Sequence, residues 1–367
     1  MRSLRERNSP EYSASTADLT FPKESEHPSN CFELLKMSYD VVTFGEVMLR
    51  LSPPNFKRFE QTENFDAHAG GAEMNVAVAC TRLGLKSAYV TKLGDNSIGH
   101  FIRNKAREHG VDTSHILWDP NSRCGVYYVE FGAAPRTNRV IYDRKDSAIS
   151  KIKPGEVDWK KILKGTRLFH TSGITPALSA NCAAATEEAL KSAKEQRAKV
   201  SYDVNYRGKL WTPTEARKFT ERASEFIDIL ITTEEDTKVV YGIEGKDYEE
   251  VAAKLTDKFG FEIVVITLRE TPSVWFNKWS VFAYSNGKVY RSPVYDVEIV
   301  DRLGGGDSCS AGFIYGYLEL KDLQKAVDFG SAFSALKHSV PGDLAFVYKL
   351  EVEELMKGRQ RGLRIER

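Results

Sequence analysis

No apolar run among the 367 residues approaches the roughly 18 needed to cross a bilayer, so a membrane-spanning helix is excluded. Neither sign of charge prevails: 52 Lys and Arg against 51 Asp and Glu leave a formal net charge of +1. That removes any global pull toward nucleic acid or a membrane surface. Cysteine is sparse: five residues, at 31, 80, 124, 182 and 309, an odd number without a C-x-x-C pair. Such usage argues for a reducing, cytoplasmic compartment and against structural zinc. A Walker loop is missing too, because Gly245-Lys246 is followed by Asp247 rather than Ser or Thr. Any nucleotide here is held without a P-loop.

What the chain does contain suits one large α/β domain with a small subdomain. Residues 1–36, rich in Ser, Glu, Arg and Pro, lack both a periodic apolar pattern and a secretory apolar core. Too little there can be buried to offset ordering entropy, so a disordered extension is expected. Met37 is a natural start for a domain over 37–357, which makes an overlong start assignment plausible, and residues 358–367 form a basic tail. Glu6, Glu11, Asp18, Glu24, Glu26 and Glu33 argue against a transit peptide.

From Tyr39 onward, apolar runs alternate with amphipathic stretches. Strands are expected at 40–49, 87–93, 168–171, 200–203, 227–232 and 263–267, and helices at 72–83, 97–109, 181–196, 214–226 and 248–259. This rhythm implies a doubly wound, mostly parallel sheet with helices on both faces, and ligands outside the C-terminal strand ends. Segments 49–67 and 123–142 break it with alternating polar and apolar residues, and Gly125–Phe131 with Arg139–Tyr142 reads as an antiparallel pair.

The densest signal is Val300-Asp301-Arg302-Leu303-Gly304-Gly305-Gly306-Asp307-Ser308, set between a β-branched run at 294–300 and a helical pattern at 308–320. Gly304, Gly305 and Gly306 let the backbone approach a ligand, and the N–H groups of the new helix favour an anion. Asp307 would repel that anion unless it has a task, and the obvious one is to take a proton from a hydroxyl attacking phosphorus. Tight packing alone also explains glycines at such a turn. A dinucleotide fingerprint is the poorer fit, since Cys309 stands where the third glycine belongs.

Asp301-x-x-Gly304-Gly305-Gly306-Asp307 resembles the D-T-x-G-A-G-D signature of the ribokinase-like sugar kinases, and Gly70-Gly71-Ala72-Glu73-Met74-Asn75 resembles that family's second signature. The resemblance runs from Tyr39 to Met356. It implies the ribokinase-like fold, ATP and Mg²⁺ as cofactors, a small β-sheet lid built from about 49–67 and 123–142, and a homo-oligomer formed through lid sheets. Within the family, Tyr142-x-Arg144, His170-x-Ser172-Gly173-Ile174-Thr175-Pro176-Ala177-Leu178 and Asp203-Val204-Asn205-Tyr206-Arg207 are similar to the 2-keto-3-deoxygluconate kinases.

That likeness implies transfer of the ATP γ-phosphoryl to the 6-hydroxyl of a sugar acid, with Gly70, Gly71, Asn75, Tyr127, Tyr142, Arg144 and Arg207 holding the acceptor beside Asp307. Taken alone, either arginine reads as well as a solvated or structural ion-pair partner; jointly, with the tyrosines, they favour an acidic sugar. A fructokinase or ribokinase acting on neutral sugars is the alternative, and a non-catalytic sugar sensor another. Two departures from the family stand out. Its magnesium-ordering N-x-x-E motif becomes Thr233-Glu234-Glu235-Asp236, with Asp236 in the glutamate place. The Gly-containing turn after Thr267 becomes Leu268-Arg269-Glu270-Thr271-Pro272, so Thr267, Arg269, Gly304 and Gly306 are the expected nucleotide contacts. The adenine is expected near 331–338 and 340–343.

Overall fold

The computed structural model describes residues 38–273 and 275–358; the expected N-terminal extension and all but the first residue of the expected tail lie outside these residues. The first part of the chain runs through β1 (Val41–Phe44), β2 (Met48–Ser52), β3 (Asp66–Gly70), α1 (Ala72–Arg82), β4 (Ser87–Val90), β5 (Lys92–Gly94), α2 (Ser97–Arg107), β6 (Leu117–Asp119), β7 (Gly125–Glu130) and β8 (Arg139–Asp143). Then follow α3 (Trp159–Ile162), β9 (Leu168–Ser172), α4 (Ile174–Ala177), α5 (Ala180–Glu195), β10 (Lys199–Asp203), α6 (Pro213–Ala223), β11 (Ile229–Thr233), α7 (Glu234–Asp236) and α8 (Tyr248–Phe259). The last part comprises β12 (Ile263–Ser273), β13 (Phe276–Ser285), β14 (Lys288–Arg291), β15 (Tyr295–Glu298), α9 (Gly305–Tyr315), α10 (Leu323–His338) and α11 (Lys349–Met356).

The main sheet has the order β14-β13-β12-β11-β10-β9-β1-β4, with β15 also pairing β13. From β12 to β4 every pair is parallel, whereas β13 pairs antiparallel with β12, β14 and β15. The apolar runs are buried on both faces, as Val41, Val42 and Phe44 or Val264, Val265 and Ile266 show by their complete burial. Chain direction across the sheet reverses at β1, flanked by β4 and β9, which opens a crevice at the strand ends there.

A second sheet, β3-β2-β7-β8, is formed from the two segments that break the α/β rhythm. The expected hairpin is present, with Tyr127 opposite Tyr142. Three expectations need correction, the first being the strand over 87–93, which divides between β4 in the main sheet and β5, paired with β6 in a separate two-stranded sheet. The run 40–49 is not one strand: residues 45–47 break it, and β1 enters the main sheet while β2 enters the small one. Continuous hydrophobicity hides that break, because Glu46 and Val47 are as buried as the strands around them. Residues 268–272 are not a turn either. They extend β12 to Ser273, paired with β13 in a long hairpin.

Candidate active site

Motif and crevice meet at the start of α9. Gly304 is the helix N-cap at φ 77°, a left-handed conformation open to glycine, and a Cβ there would come within 2.0 Å of the Asp343 carbonyl oxygen. Gly305 is buried against His338, and its N–H donates to the Arg302 carbonyl at 3.2 Å. Of the three glycines expected to form the anion cradle, Gly305 therefore packs the helix start, while Gly304 and Gly306 line the cavity. A Cβ on Gly306 would meet nothing within 4 Å, so its backbone faces open space. The N–H groups of Gly305 and Ser308 are taken by the Arg302 and Gly304 carbonyls, whereas those of Gly306 and Asp307 have no backbone acceptor among the described residues, which leaves donors for an anion.

The cavity is about 580 Å³. It brings together residues far apart in sequence: Gly70, Gly71, Asn75, Tyr127, Tyr142, Arg144, Arg207, Asp236, Thr267, Arg269 and Asp307 all line it. The Asn75 amide donates to Asp307 Oδ2 at 2.7 Å, joining the two signatures. Burial pushes the Asp307 carboxyl up to about 6; the charge of Asp343 adds to this, while the Asn75 bond and the charges of Arg207 and Lys337 oppose it. Asp203 also lines the cavity, and its carboxyl is held well above the usual range by burial and by the charges of Asp307 and Asp236. Asp236 is raised by burial, with Arg207 opposing.

These acids bear on the implied Mg²⁺. Among the described residues no cluster of three or more His, Cys, Asp or Glu side chains is arranged to hold a metal. The charge of Asp236 bears on Asp203, and both line the cavity, so a hydrated cation beside them would relieve that repulsion. Thr233, in the place of the family's asparagine, caps α7 by accepting the Asp236 N–H at 3.1 Å, which aims that short helix at the cavity. The residues fit a cation held through water.

The two arginines differ. Arg144 pairs with the fully buried carboxylate of Glu46, which also accepts the Ser147 hydroxyl at 2.8 Å. Its charge is thus balanced within the protein, and its guanidinium lies 5.4 Å from the centre of the Tyr142 ring. Arg207 is exposed at the cavity, and its guanidinium donates to the Tyr206 carbonyl at 3.1 Å, with no hydrogen bond to a carboxylate among the described residues. Tyr127 stacks on Tyr142 with ring centres 5.9 Å apart and donates its hydroxyl to Asp343 at 2.5 Å.

Sequence reasoning missed a buried ion network that ties the small sheet to this site. Arg50, on β2, is almost wholly enclosed; it donates to Asp301 at 2.7 Å and to Asp343 at 2.6 Å. Asp301 in turn accepts the N–H groups of Leu303 and Gly342, each at 3.0 Å. The first carboxylate of the glycine motif thus shapes the loop instead of facing a ligand. Asp343, expected near adenine, lies on the small-sheet side, while Ser331 is buried and meets the Ser292 hydroxyl at 2.9 Å. Glu46, Asn277, Trp279, Arg302 and His338 also line the cavity. For Arg302 the signal was in plain view, as the basic residue in the second place of the motif.

The sequence pattern of the pfkB family of carbohydrate kinases matches residues 38–347. A 2-dehydro-3-deoxygalactonokinase of Haloferax volcanii is 38% identical over 327 residues, 89% of this chain and 99% of that protein. A 2-dehydro-3-deoxygluconokinase of Thermoproteus tenax is 30% identical over 321 residues, 86% of this chain and 94% of its own. The crystal structure of a 2-dehydro-3-deoxygluconokinase from Thermotoga maritima superposes with a TM-score of 0.85 at 46% identity, covering 87% of this chain and 98% of that one.

Proposed function

The chain belongs to the pfkB family of carbohydrate kinases, and from that premise we propose that it phosphorylates 2-keto-3-deoxygluconate at the 6-hydroxyl, using ATP, to give 2-keto-3-deoxy-6-phosphogluconate. The observation that carries an acidic acceptor is Arg207, an exposed cation at the cavity whose guanidinium, among the described residues, bonds to a backbone carbonyl and to no carboxylate, although its charge also bears on Asp203, Asp236 and Asp307. The relatives named for keto-deoxy sugar acids support the same class. The galactonate epimer is a second reading, favoured by the 38% identical relative.

In this reading the acceptor lies over Gly70, Gly71 and Asn75, with Tyr127 and Tyr142 along its carbon chain and its acid group toward Arg207. Its hydroxyl donates to Asp307, whose free oxygen takes the proton as the oxygen attacks phosphorus. Asn75 fixes the other oxygen, so the base arrives already oriented. The N-terminus of α9 stabilises charge on the transferred group. Asp236 and Asp203 would hold a hydrated Mg²⁺ through its waters, and that ion would supply charge neutralisation of the donor phosphates. The small sheet excludes water that would otherwise accept the phosphoryl group. ADP release measured over a panel of keto-deoxy acids, hexoses and pentoses tests the proposal. The highest kcat/KM is expected for 2-keto-3-deoxygluconate; a preference for fructose or ribose would refute the sugar-acid assignment.

A further inference from the structure

We propose that Arg50 and Asp343 are positioning residues that couple the two halves of the cavity, so that an acceptor seated against the small sheet tightens the hold of the glycine loop on the nucleotide. The inference rests on the kinase reading and adds to it a link between the two binding sites.

Three strands of the small sheet converge on one buried carboxylate. Asp343 Oδ1 accepts the Tyr127 hydroxyl of β7 at 2.5 Å, and Oδ2 accepts the Arg50 guanidinium of β2 at 2.6 Å. A Cβ on Gly70, at the end of β3, would come within 2.5 Å of the same Oδ1. On its other side the Asp343 carbonyl abuts Gly304, the N-cap of α9. Arg50 also donates to Asp301, whose carboxylate holds the Leu303 and Gly342 N–H groups. These two side chains thus touch both the acceptor wall and the loop that precedes α9.

The cluster is balanced within the protein. Lys337 is fully buried and donates to the Asp301 carbonyl at 2.9 Å and the Val340 carbonyl at 3.3 Å, and its charge bears on both Asp301 and Asp343. Two cations therefore face two carboxylates. Buried ion pairs stabilise little beyond what apolar packing would, because each charge loses its water. What they fix here is geometry. Arg50 Nε donates to the Ser52 hydroxyl at 3.1 Å, and the guanidinium lies 5.3 Å from the centre of the Phe131 ring, so the side chain is held on several sides. With contacts this close on both sides of Asp343, a shift of Tyr127 around a seated acceptor passes to Gly304 instead of being absorbed. Linkage is reciprocal, so a nucleotide on the loop strengthens acceptor binding by the same factor.

The test is calorimetric titration of the full chain with MgADP, alone and with saturating 2-keto-3-deoxygluconate, for wild type, Tyr127→Phe, Asp343→Asn and Arg50→Lys, with melting temperatures measured alongside. In wild type the sugar acid should lower the Kd for ADP by about 5- to 150-fold, the usual span of coupling between sites. Tyr127→Phe keeps the ring and breaks the bond to Asp343. Its ratio should fall below about twofold, while its Kd for ADP alone stays within about threefold of wild type. Asp343→Asn and Arg50→Lys should show the same loss; where either lowers the melting temperature steeply, Tyr127→Phe decides alone. A merely structural network predicts a lower melting temperature with the wild-type ratio intact, and that result would overturn the coupling. So would a wild-type ratio below about twofold. In both of those outcomes each ligand still binds by itself, and the kinase reading stands. Wild type that fails to bind ADP or the sugar acid would defeat that reading and the coupling with it.

Discussion

Asp307 joins three local features: a glycine loop, a helix start and an amide clamp from Asn75. Asp307→Asn keeps the shape and removes the base, so kcat is expected to fall by roughly 10²–10⁴ in rapid-quench or coupled assays, with ADP still bound. Because burial lifts this carboxyl to about 6, the free enzyme must lose that proton to act. The kcat/KM profile should therefore drop on the acid side of about pH 6, an acid limb the Asn variant lacks. Arg207 and Arg144 separate by their partners. Arg207→Gln should weaken kcat/KM for 2-keto-3-deoxygluconate by about 30-fold, the low end for truncated charged contacts because the residue is exposed. Fructose turnover measured in parallel should hardly change; equal losses would make Arg207 structural. Arg144→Gln leaves the buried Glu46 carboxylate unpaired, so its expected effect is on stability as well as on turnover.

At the scale of elements, α1 is the joint of the crevice. It presents Asn75 to the site, and two residues earlier Glu73 is enclosed, accepting the Ser172 N–H at 2.9 Å, the Ser172 hydroxyl at 2.7 Å and the Thr175 hydroxyl at 2.9 Å. Burial pushes Glu73 up to about 7, against these hydrogen bonds. A raised carboxyl means the folded state keeps a proton that the unfolded chain has lost. Stability is therefore expected to decline as pH rises from about 4.5 to about 7, and to level off above that. Glu73→Gln removes this dependence, and its melting temperature should exceed wild type most clearly above pH 7. A wild-type curve flat over that interval would show that Glu73 stays ionised. The small sheet has a comparable anchor in Arg50, whose two carboxylate partners belong to the loop before α9 and to the segment after α10.

For the whole molecule, the proposed reaction uses the strand ends of the parallel sheet, the second sheet as a cover, and the start of α9 as the anion site. Asp203 and Asp236 both line the cavity, and in the proposed reaction a hydrated cation beside them would offset the charge of the polyphosphate. Activity is accordingly expected to vanish in excess EDTA and to return with Mg²⁺; full activity in EDTA would remove the cation from the mechanism.

Much of this was legible in the chain. Alternating apolar and amphipathic runs give a doubly wound sheet because only one period suits each element, and the runs at 168–171, 200–203 and 263–267 lie within observed strands. The glycine motif placed a helix start and Asp307 together because they are neighbours in sequence. What the sequence left open depends on distance in space. Nothing near Glu46 reveals that Arg144 will pair with it, and nothing near Arg50 reveals Asp301 and Asp343. The division of 40–49 between two sheets is invisible to periodicity, since buried Glu46 reads as a strand position until its partner is known. Local pattern settled which elements form; only tertiary packing decided which charges are balanced inside the protein and which face the cavity, because that balance rests on contacts between segments 98 to 293 residues apart.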